Sequence, residues 1–265
     1  MKYIIESKDN TRYILIPELK SLGLNHCFTT IDLNMSFKHN STVKEVITAH
    51  HNAFDFMGIN PKEIFSNIQE HSRNITIIKD LNQGDKYEIG RVIPNNDGLI
   101  TDLKNIALIS KYADCTPIIL YDPIKKVHAN IHSGWRGTLK KIGANGVEIM
   151  VNNYNSNPKD IIAILGPSIG KDDFEVDIDV KELFQREFEF NREIIFKKGS
   201  TKYLIDLKET NKRILMESGI KEENITIIDL STKSNSMLHS YRRDREKFGL
   251  MGVITSLEKN NKASF

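Results

Sequence analysis

Ala113-Asp114-Cys115-Thr116-Pro117-Ile118-Ile119-Leu120-Tyr121-Asp122-Pro123, followed after Ile124–Lys126 by Val127-His128-Ala129-Asn130-Ile131-His132-Ser133-Gly134-Trp135-Arg136-Gly137, is the stretch on which the fold turns. Pro117–Tyr121 and Val127–His132 are short, rich in β-formers, and bounded by turn chemistry at Asp122-Pro123 and Ser133-Gly134, so both read as strands. No helix fits between them. Upstream, Asn74–Lys79 and Ile106–Ser110 read as strands in the same way, with a turn at Asp97-Gly98; downstream, Thr138–Tyr154 reads as a helix. Several consecutive strands without an intervening helix predict a mixed sheet with helices packed around it, an α/β (α+β) arrangement and not strict βαβ alternation.

Working outward, Lys2–Ile5 and Arg12–Ile16 flank Lys8-Asp9-Asn10 as a hairpin, and His26–Thr30 is a short strand. Thr42 with Glu45 makes a capping box for a helix whose apolar face carries Val43, Ile47, Ala53, Phe54 and Met57, ended by Gly58. Beyond the central helix come a strand at Ile161–Leu165 running into Gly166-Pro167, helices at Ile178–Phe188 and Leu207–Ser218, and strands at Glu193–Phe196, Ile225–Ile228 and Met251–Thr255. There is no repeat, low-complexity segment or linker, so residues 1–258 read as a single domain, with Lys259–Phe265 a polar, frayed tail.

Bulk properties narrow the function classes. The 265 residues suffice to bury a stable core without staples. The 37 basic and 35 acidic residues are interspersed, giving net charge +2 and no reason to expect a nucleic-acid or membrane partner. Two cysteines, Cys27 and Cys115, do not make a disulfide scaffold and favour a reducing compartment. MKYIIESKDN lacks a signal-peptide core, and apolar runs such as Pro117–Tyr121 are far below the roughly 18 residues of a membrane span. The expectation is a cytoplasmic protein.

Three segments place a His or Cys at a strand edge or turn: Gln69-Glu70-His71-Ser72, Ala113–Pro117, and His132–Gly137. His71, Cys115 and His132 together would suit a borderline-soft ion, zinc first and copper as the alternative, and three donors leave the open position of a catalytic site. Spacing does not bring them together, because no CxxC or HExxH motif is present; on spacing alone, a buried small Cys and hydrogen-bonded His residues are the plainer reading. Two glycines around the only Trp predict close backbone approach at Gly134–Gly137, and Arg136 adds a planar cation for phosphate or carboxylate.

ADCTPIILYDP followed by HSGWRGT resembles the YfiH-like laccase-domain family, also called polyphenol oxidases and purine nucleoside phosphorylases. Leu33-Asn34-Met35-Ser36, Gln69-Glu70-His71, Asp97-Gly98-Leu99-Ile100-Thr101, Gly166-Pro167-Ser168-Ile169-Gly170 and Ser240-Tyr241-Arg242-Arg243-Asp244 resemble further family segments in the same order, covering about Asn25 to Ile254. The resemblance implies a sandwich-like domain with one metal at His71, Cys115 and His132. It also implies phosphorolysis of adenosine, inosine, guanosine and methylthioadenosine with orthophosphate, and hydrolytic deamination of adenosine. The chain departs from the family pattern at Ile31, where an Arg often follows the F-S-T segment, and in the extra cysteines, replaced around Lys171-Asp172-Asp173 and Ser231-Thr232.

For deamination, an ion acidifies a water at its open position for attack at purine C6, with Asp114 or Glu70 as proton carrier or as a residue orienting a ligand. For phosphorolysis, Arg136 with Arg242 or Arg243 would hold the anion, although the Tyr-Arg-Arg-Asp cluster also reads as a structural knot. Rival readings are a copper-dependent phenol oxidase, a Cys115 hydrolase and a non-catalytic metal-binding protein. A trinuclear copper cluster lacks support, since the eight histidines offer only His50-His51, on a helix where neighbours point apart, and His128…His132.

Overall fold

Strand Thr116–Asp122 sorts its side chains by parity: Ile119 and Tyr121 enter one apolar cluster, Ile118 and Leu120 another. All four are fully buried, so both faces of the strand are covered and its sequence reads as a continuous apolar run. In this computed structural model, which describes residues 1–258, the strand lies inside a six-stranded sheet. The order is Ile225–Ile227, Ile162–Leu165, Thr116–Asp122, Val127–Ser133, Gly98–Thr101, Ile75–Ile77. The expected tail Lys259–Phe265 lies outside the described residues.

The cluster holding Ile119 and Tyr121 also holds Phe28, Tyr112 and Val253 from a second, eight-stranded sheet, so the two sheets pack face to face around it. That sheet runs Ile4–Lys8, Thr11–Leu15, Leu24–Thr29, Met251–Leu257, Ile106–Tyr112, Glu63–Asn67, Arg91–Ile93, Asp85–Lys86. Helices cover the outer faces. Val43–Met57 lays Ala49, Ala53, Phe54 and Met57 against Cys27, Ala107, Ile109 and Ile254 of the eight-stranded sheet. On the other side, Val147 and Met150 of Ile142–Tyr154, with Leu215 of Leu207–Glu217, cover Ile118, Leu120 and Ile131. Parallel and antiparallel pairs occur in both large sheets, as the uninterrupted strand runs lead one to expect.

Local chemistry explains the boundaries that the sequence makes legible. The Thr42 side chain accepts from the Glu45 amide while the Glu45 carboxylate accepts from the Thr42 amide, and Gly58 closes the helix at φ 68°. Asp9 and Asn10, at φ 49° and 62°, make the two-residue turn between Ile4–Lys8 and Thr11–Leu15.

Two expectations are corrected. The helix expected over Thr138–Tyr154 is two helices, Trp135–Leu139 and Ile142–Tyr154, separated by Lys141 in a left-handed conformation at φ 55°. The break has a packing cause: Trp135 and Leu139 join the cluster of Phe174 and Phe184, whereas Ile142, Val147 and Met150 pack on the six-stranded sheet, and one straight helix could not serve both. The strand expected at Glu193–Phe196 begins as a helical turn, Asn191–Ile194, and becomes strand only over Ile195–Lys198. Ile194 is buried with Phe184 and Phe188 while Phe196 is exposed, so the apolar run spans an inward turn and an outward strand.

Candidate active site and metal centre

Three crossings from the eight-stranded to the six-stranded sheet build the site. They join Glu63–Asn67 to Ile75–Ile77, Arg91–Ile93 to Gly98–Thr101, and Ile106–Tyr112 to Thr116–Asp122. Each turns on a non-glycine residue of positive φ: His71 (56°), Asn95 (50°) and Asp114 (81°). Asn, Asp and His are the residue types that enter this region most readily, and so much local strain in one place is characteristic of functional sites. Gln69 ties the first crossing to the third, donating to the Lys111 carbonyl at 2.7 Å and accepting from the Lys111 amide at 2.8 Å.

His71 comes from the first crossing, Cys115 from the third, and His132 from the end of strand Val127–Ser133. Their donor atoms all lie within 4.8 Å of one another, with Cys115 Sγ 3.7 Å from His71 Nε2. Among the described residues, no fourth His, Cys, Asp or Glu joins the group. Two imidazoles and a thiolate at this spacing fit a zinc-type ion, and three donors leave it an open position. Gly134 is required beside them: a Cβ there would come 2.5 Å from His71 Cδ2 and 2.9 Å from Cys115 Sγ.

Asp97, fully buried at the second crossing, organises the donors. Its carboxylate accepts from the Ser72 amide and hydroxyl (2.6 Å each), the His71 amide (3.0 Å) and the Glu70 amide (3.2 Å), and lies 2.9 Å from His132 Nδ1. The His132 contact assigns Nδ1–H to the carboxylate and turns Nε2 to the other donors, the usual role of a carboxylate behind a ligating His. Burial would raise the Asp97 carboxyl, but His132 and Ser72 outweigh it and hold the group well below the usual carboxylate range. From sequence alone Asp97-Gly98 reads as a turn; its role rests on the pairing of Gly98–Thr101 with the His132 strand, which only the fold reveals.

Burial likewise would raise the Cys115 thiol, yet the charge on His132 and hydrogen bonds from both histidines bring it down to about 6. Burial would lower His132, but Cys115 and Asp97 raise it to about 9. Both shifts favour a thiolate–imidazolium pair in the metal-free chain. Thiolate absorbance at 240 nm is expected to appear with a midpoint near pH 6, whereas a midpoint near 9 would show that the histidines do not charge the site. Cys27, fully buried and pushed well above the usual thiol range, adds nothing to that step.

The donor set opens onto a cleft of about 790 Å³. Arg136 lines it, exposed and stacked on Trp135 with Cζ 4.2 Å from the ring centroid. Arg242 also lines it, with its guanidinium donating to the Glu175 carbonyl (2.8 Å) and lying over Phe174. Arg243 does not reach the cleft: its guanidinium donates to the carbonyls of Thr232, Lys233, Asn235 and Leu238 and pairs with Asp244, so it is the structural knot and not the anion ligand also considered from sequence. Asp114 lines the cleft with both carboxylate oxygens engaged, one by the Thr232 hydroxyl and the other by the Arg242 amide (2.6 Å). Glu70 is exposed and, like Ile31, is not among the lining residues. Lys111, which sequence reading passed over, is.

An α/β scaffold of two large packed sheets, with an open His/Cys/His donor set where the chain crosses between them, defines this as a protein with a candidate catalytic metal site. The chain belongs to the family described as Multi-copper polyphenol oxidoreductase laccase, whose model matches residues 25–258. It is 35% identical over 186 residues (69% of this chain) to the purine nucleoside phosphorylase YlmD of Bacillus subtilis (strain 168), and 32% identical over 171 residues (64% of this chain) to the adenosine deaminase RL5 of an unknown prokaryotic organism. The matched stretches span 66% and 65% of those relatives' own lengths, just short of two-thirds. The crystal structure of the Bacillus licheniformis hypothetical protein YfiH superposes with a TM-score of 0.86 at 26% identity, covering 96% of this chain and 99% of that one. Among the described residues, no helix is long and apolar enough to cross a membrane.

Proposed function

We propose that this chain is a zinc-dependent purine nucleoside phosphorylase that also deaminates adenosine. The observation that carries the reading is the three-donor set opening onto a cleft that combines aromatic faces with cations. Aromatic faces suit a purine base and cations suit orthophosphate. The names of YlmD and RL5 support the two activities. Adenosine, inosine, guanosine and methylthioadenosine are the nucleosides expected from the sequence resemblance.

His71, Cys115 and His132 would hold the ion, which when bound supplies Lewis-acid polarisation and acidifies water. Asp97 fixes the His132 tautomer and the His71 backbone. The exposed Tyr241 ring offers a face to the base, beside the Trp135–Arg136 stack. Arg136 and Arg242 orient the phosphate against the ribose C1′ and balance its charge as the glycosidic bond breaks. Asp114 acts as a positioning residue, setting the Arg242 backbone through its own carboxylate. A proton-carrying role for Asp114 would require it to give up one of these hydrogen bonds.

Phenol oxidation by copper is the second reading, supported by the family's description. The remaining histidines weigh against a multinuclear centre. His50 is buried in its helix with Nδ1 2.7 Å from the Val46 carbonyl oxygen, and His128 is buried against Thr255.

The deciding experiment incubates metal-quantified protein with adenosine, with and without phosphate, and resolves the products by chromatography. Adenine plus ribose 1-phosphate only with phosphate, and inosine in both samples, is the expected result. No turnover with stoichiometric metal would overturn the reading. Arg136→Ala is expected to slow the phosphate-dependent product by about 10- to 100-fold, the worth of one charge-assisted hydrogen bond, and the inosine product much less. Equal loss in both channels would mean that Arg136 serves folding or base binding instead.

A further inference from the structure

The cleft has a second cationic group that the proposed chemistry does not use. Its cationic and aromatic lining falls into two groups by side-chain contact: Arg136 on Trp135 and Arg242 over Phe174 in one, and Lys111 over Phe37, itself edge-on to Tyr87, in the other. Lys38 borders the second group. The Lys111 backbone is fixed by both Gln69 hydrogen bonds, so its side chain projects from a rigid strand end.

Lys111 is mostly buried, and its Nζ lies 5.0 Å from the Phe37 ring centroid. Among the described residues, no carboxylate or hydrogen-bond acceptor engages that ammonium. Burial pushes it down to about 8, and the neighbouring Lys38 charge adds to the effect. A part-buried ammonium with a second cation nearby has only the Phe37 ring face to offset its lost hydration, and no counter-charge among the described residues balances it. The cost is removed when an anion enters from the cleft. The only carboxylate among the lining residues, Asp114, is already bonded to Thr232 and Arg242, so that anion must come from outside.

We propose that Lys111, with Lys38, forms a phosphate-binding subsite of the cleft, separate from the Arg136 and Arg242 contacts. Two ammonium groups match the two negative charges of a phosphate better than a single carboxylate. Lys111 precedes Cys115 by four residues with the turn at Asp114 between them, so their separation is below the about 13 Å of an extended chain and within reach of one nucleoside. A purine nucleotide with its base toward the metal donors would therefore bring a 5′-phosphate to Lys111. The assignment rests on the reading of the cleft as a nucleoside site and extends it to phosphate-bearing substrates; the other source of the same chemistry is free orthophosphate.

The test is calorimetric titration of the full-length protein with adenosine, adenosine 5′-monophosphate and orthophosphate, repeated on Lys111→Met, Lys111→Arg and Lys38→Met. The monophosphate is expected to bind at least about 10-fold more tightly than adenosine. Lys111→Met should weaken it by about 10- to 100-fold, Lys111→Arg should retain most of the affinity, and the exposed Lys38→Met should cost about 2- to 5-fold. Lys111-dependent binding of orthophosphate, with no advantage of the monophosphate over adenosine, would support the subsite and assign it to the free ion. Binding of both phosphate ligands that is absent, or unaltered in Lys111→Met and Lys38→Met, would overturn it. Should Lys111→Met fail to fold, Lys111→Gln and Lys38→Met carry the same comparison. Phosphate binding that depends on Lys111 without any nucleoside turnover would sink the proposed reaction and leave the subsite standing. Turnover without such binding would do the reverse.

Discussion

Replacing Cys115 by Ala is expected to abolish both product channels and to leave a folded, metal-poor protein. The thiolate is the one anionic donor among the three. If the about 10–16 kcal/mol of a four-donor structural zinc site is shared equally, each donor is worth roughly 2.5–4 kcal/mol, or a loss in affinity of roughly 60- to 1,000-fold. The fold should tolerate the change, because Cys115 is only partly buried and sits at a crossing, not inside an apolar layer. Metal content measured against protein, with the melting curve of the metal-free form as control, separates loss of the ion from loss of structure. Full turnover by a metal-free Cys115→Ala protein would end the metal reading. Full turnover with metal retained would remove Cys115 from the donor set.

The Asp97→Asn variant is expected to be the most damaging change that leaves every metal donor in place. The native carboxylate satisfies three backbone amides, a hydroxyl and an imidazole inside a fully buried environment. An amide offers one acceptor oxygen and turns an N–H₂ toward groups that are themselves donors. At about 1–3 kcal/mol for each buried donor left unpaired, two such losses amount to about 2–6 kcal/mol. Metal affinity should fall a further 10- to 100-fold or so through misorientation of His132 and His71. Acid titration supplies an independent readout. A carboxyl held below its unfolded value contributes stability that is fully present above about pH 4 and is lost as pH falls toward the folded value. The native protein should therefore lose stability steeply below pH 4, and the variant, lacking that group, less steeply. A variant with native melting temperature and native metal content would show that the Asp97 network is incidental.

The parts of the fold legible in the sequence are those where one physical signal dominates. Ile118–Tyr121 reads as a buried strand because both of its faces are apolar, and Thr42 with Glu45 reads as a helix start because the capping box is local. Glu63–Asn67 escapes notice because its polar ends mask a strand hydrogen-bonded on both sides. The break at Lys141 is invisible locally, since it answers to two packing surfaces distant in sequence. In the site, the order of several segments marked His71, Cys115 and His132, while spacing did not. Asp97 and Lys111 were missed because their importance lies in what faces them: Asp97 looks like turn chemistry and Lys111 like a solvated strand end until Phe37 and the crossing amides are placed around them.

The crossings give the site a place in the life of the chain as well as in its chemistry. His71 and Cys115 are 44 positions apart, and both lie where the chain steps from one sheet to the other. Pairing of Glu63–Asn67 with Ile106–Tyr112 in the eight-stranded sheet sets those two crossings side by side, and the hairpin of Thr116–Asp122 with Val127–Ser133 in the six-stranded sheet brings His132 to Cys115, so the full donor set needs both sheets. An ion held there acts as a rivet through the seam, and its occupancy records that docking is complete. By mass action, ion at 100 times its dissociation constant would add about 2.7 kcal/mol to the docked form. Metal supply would then govern how long the finished protein survives in the cell as well as whether it turns over substrate.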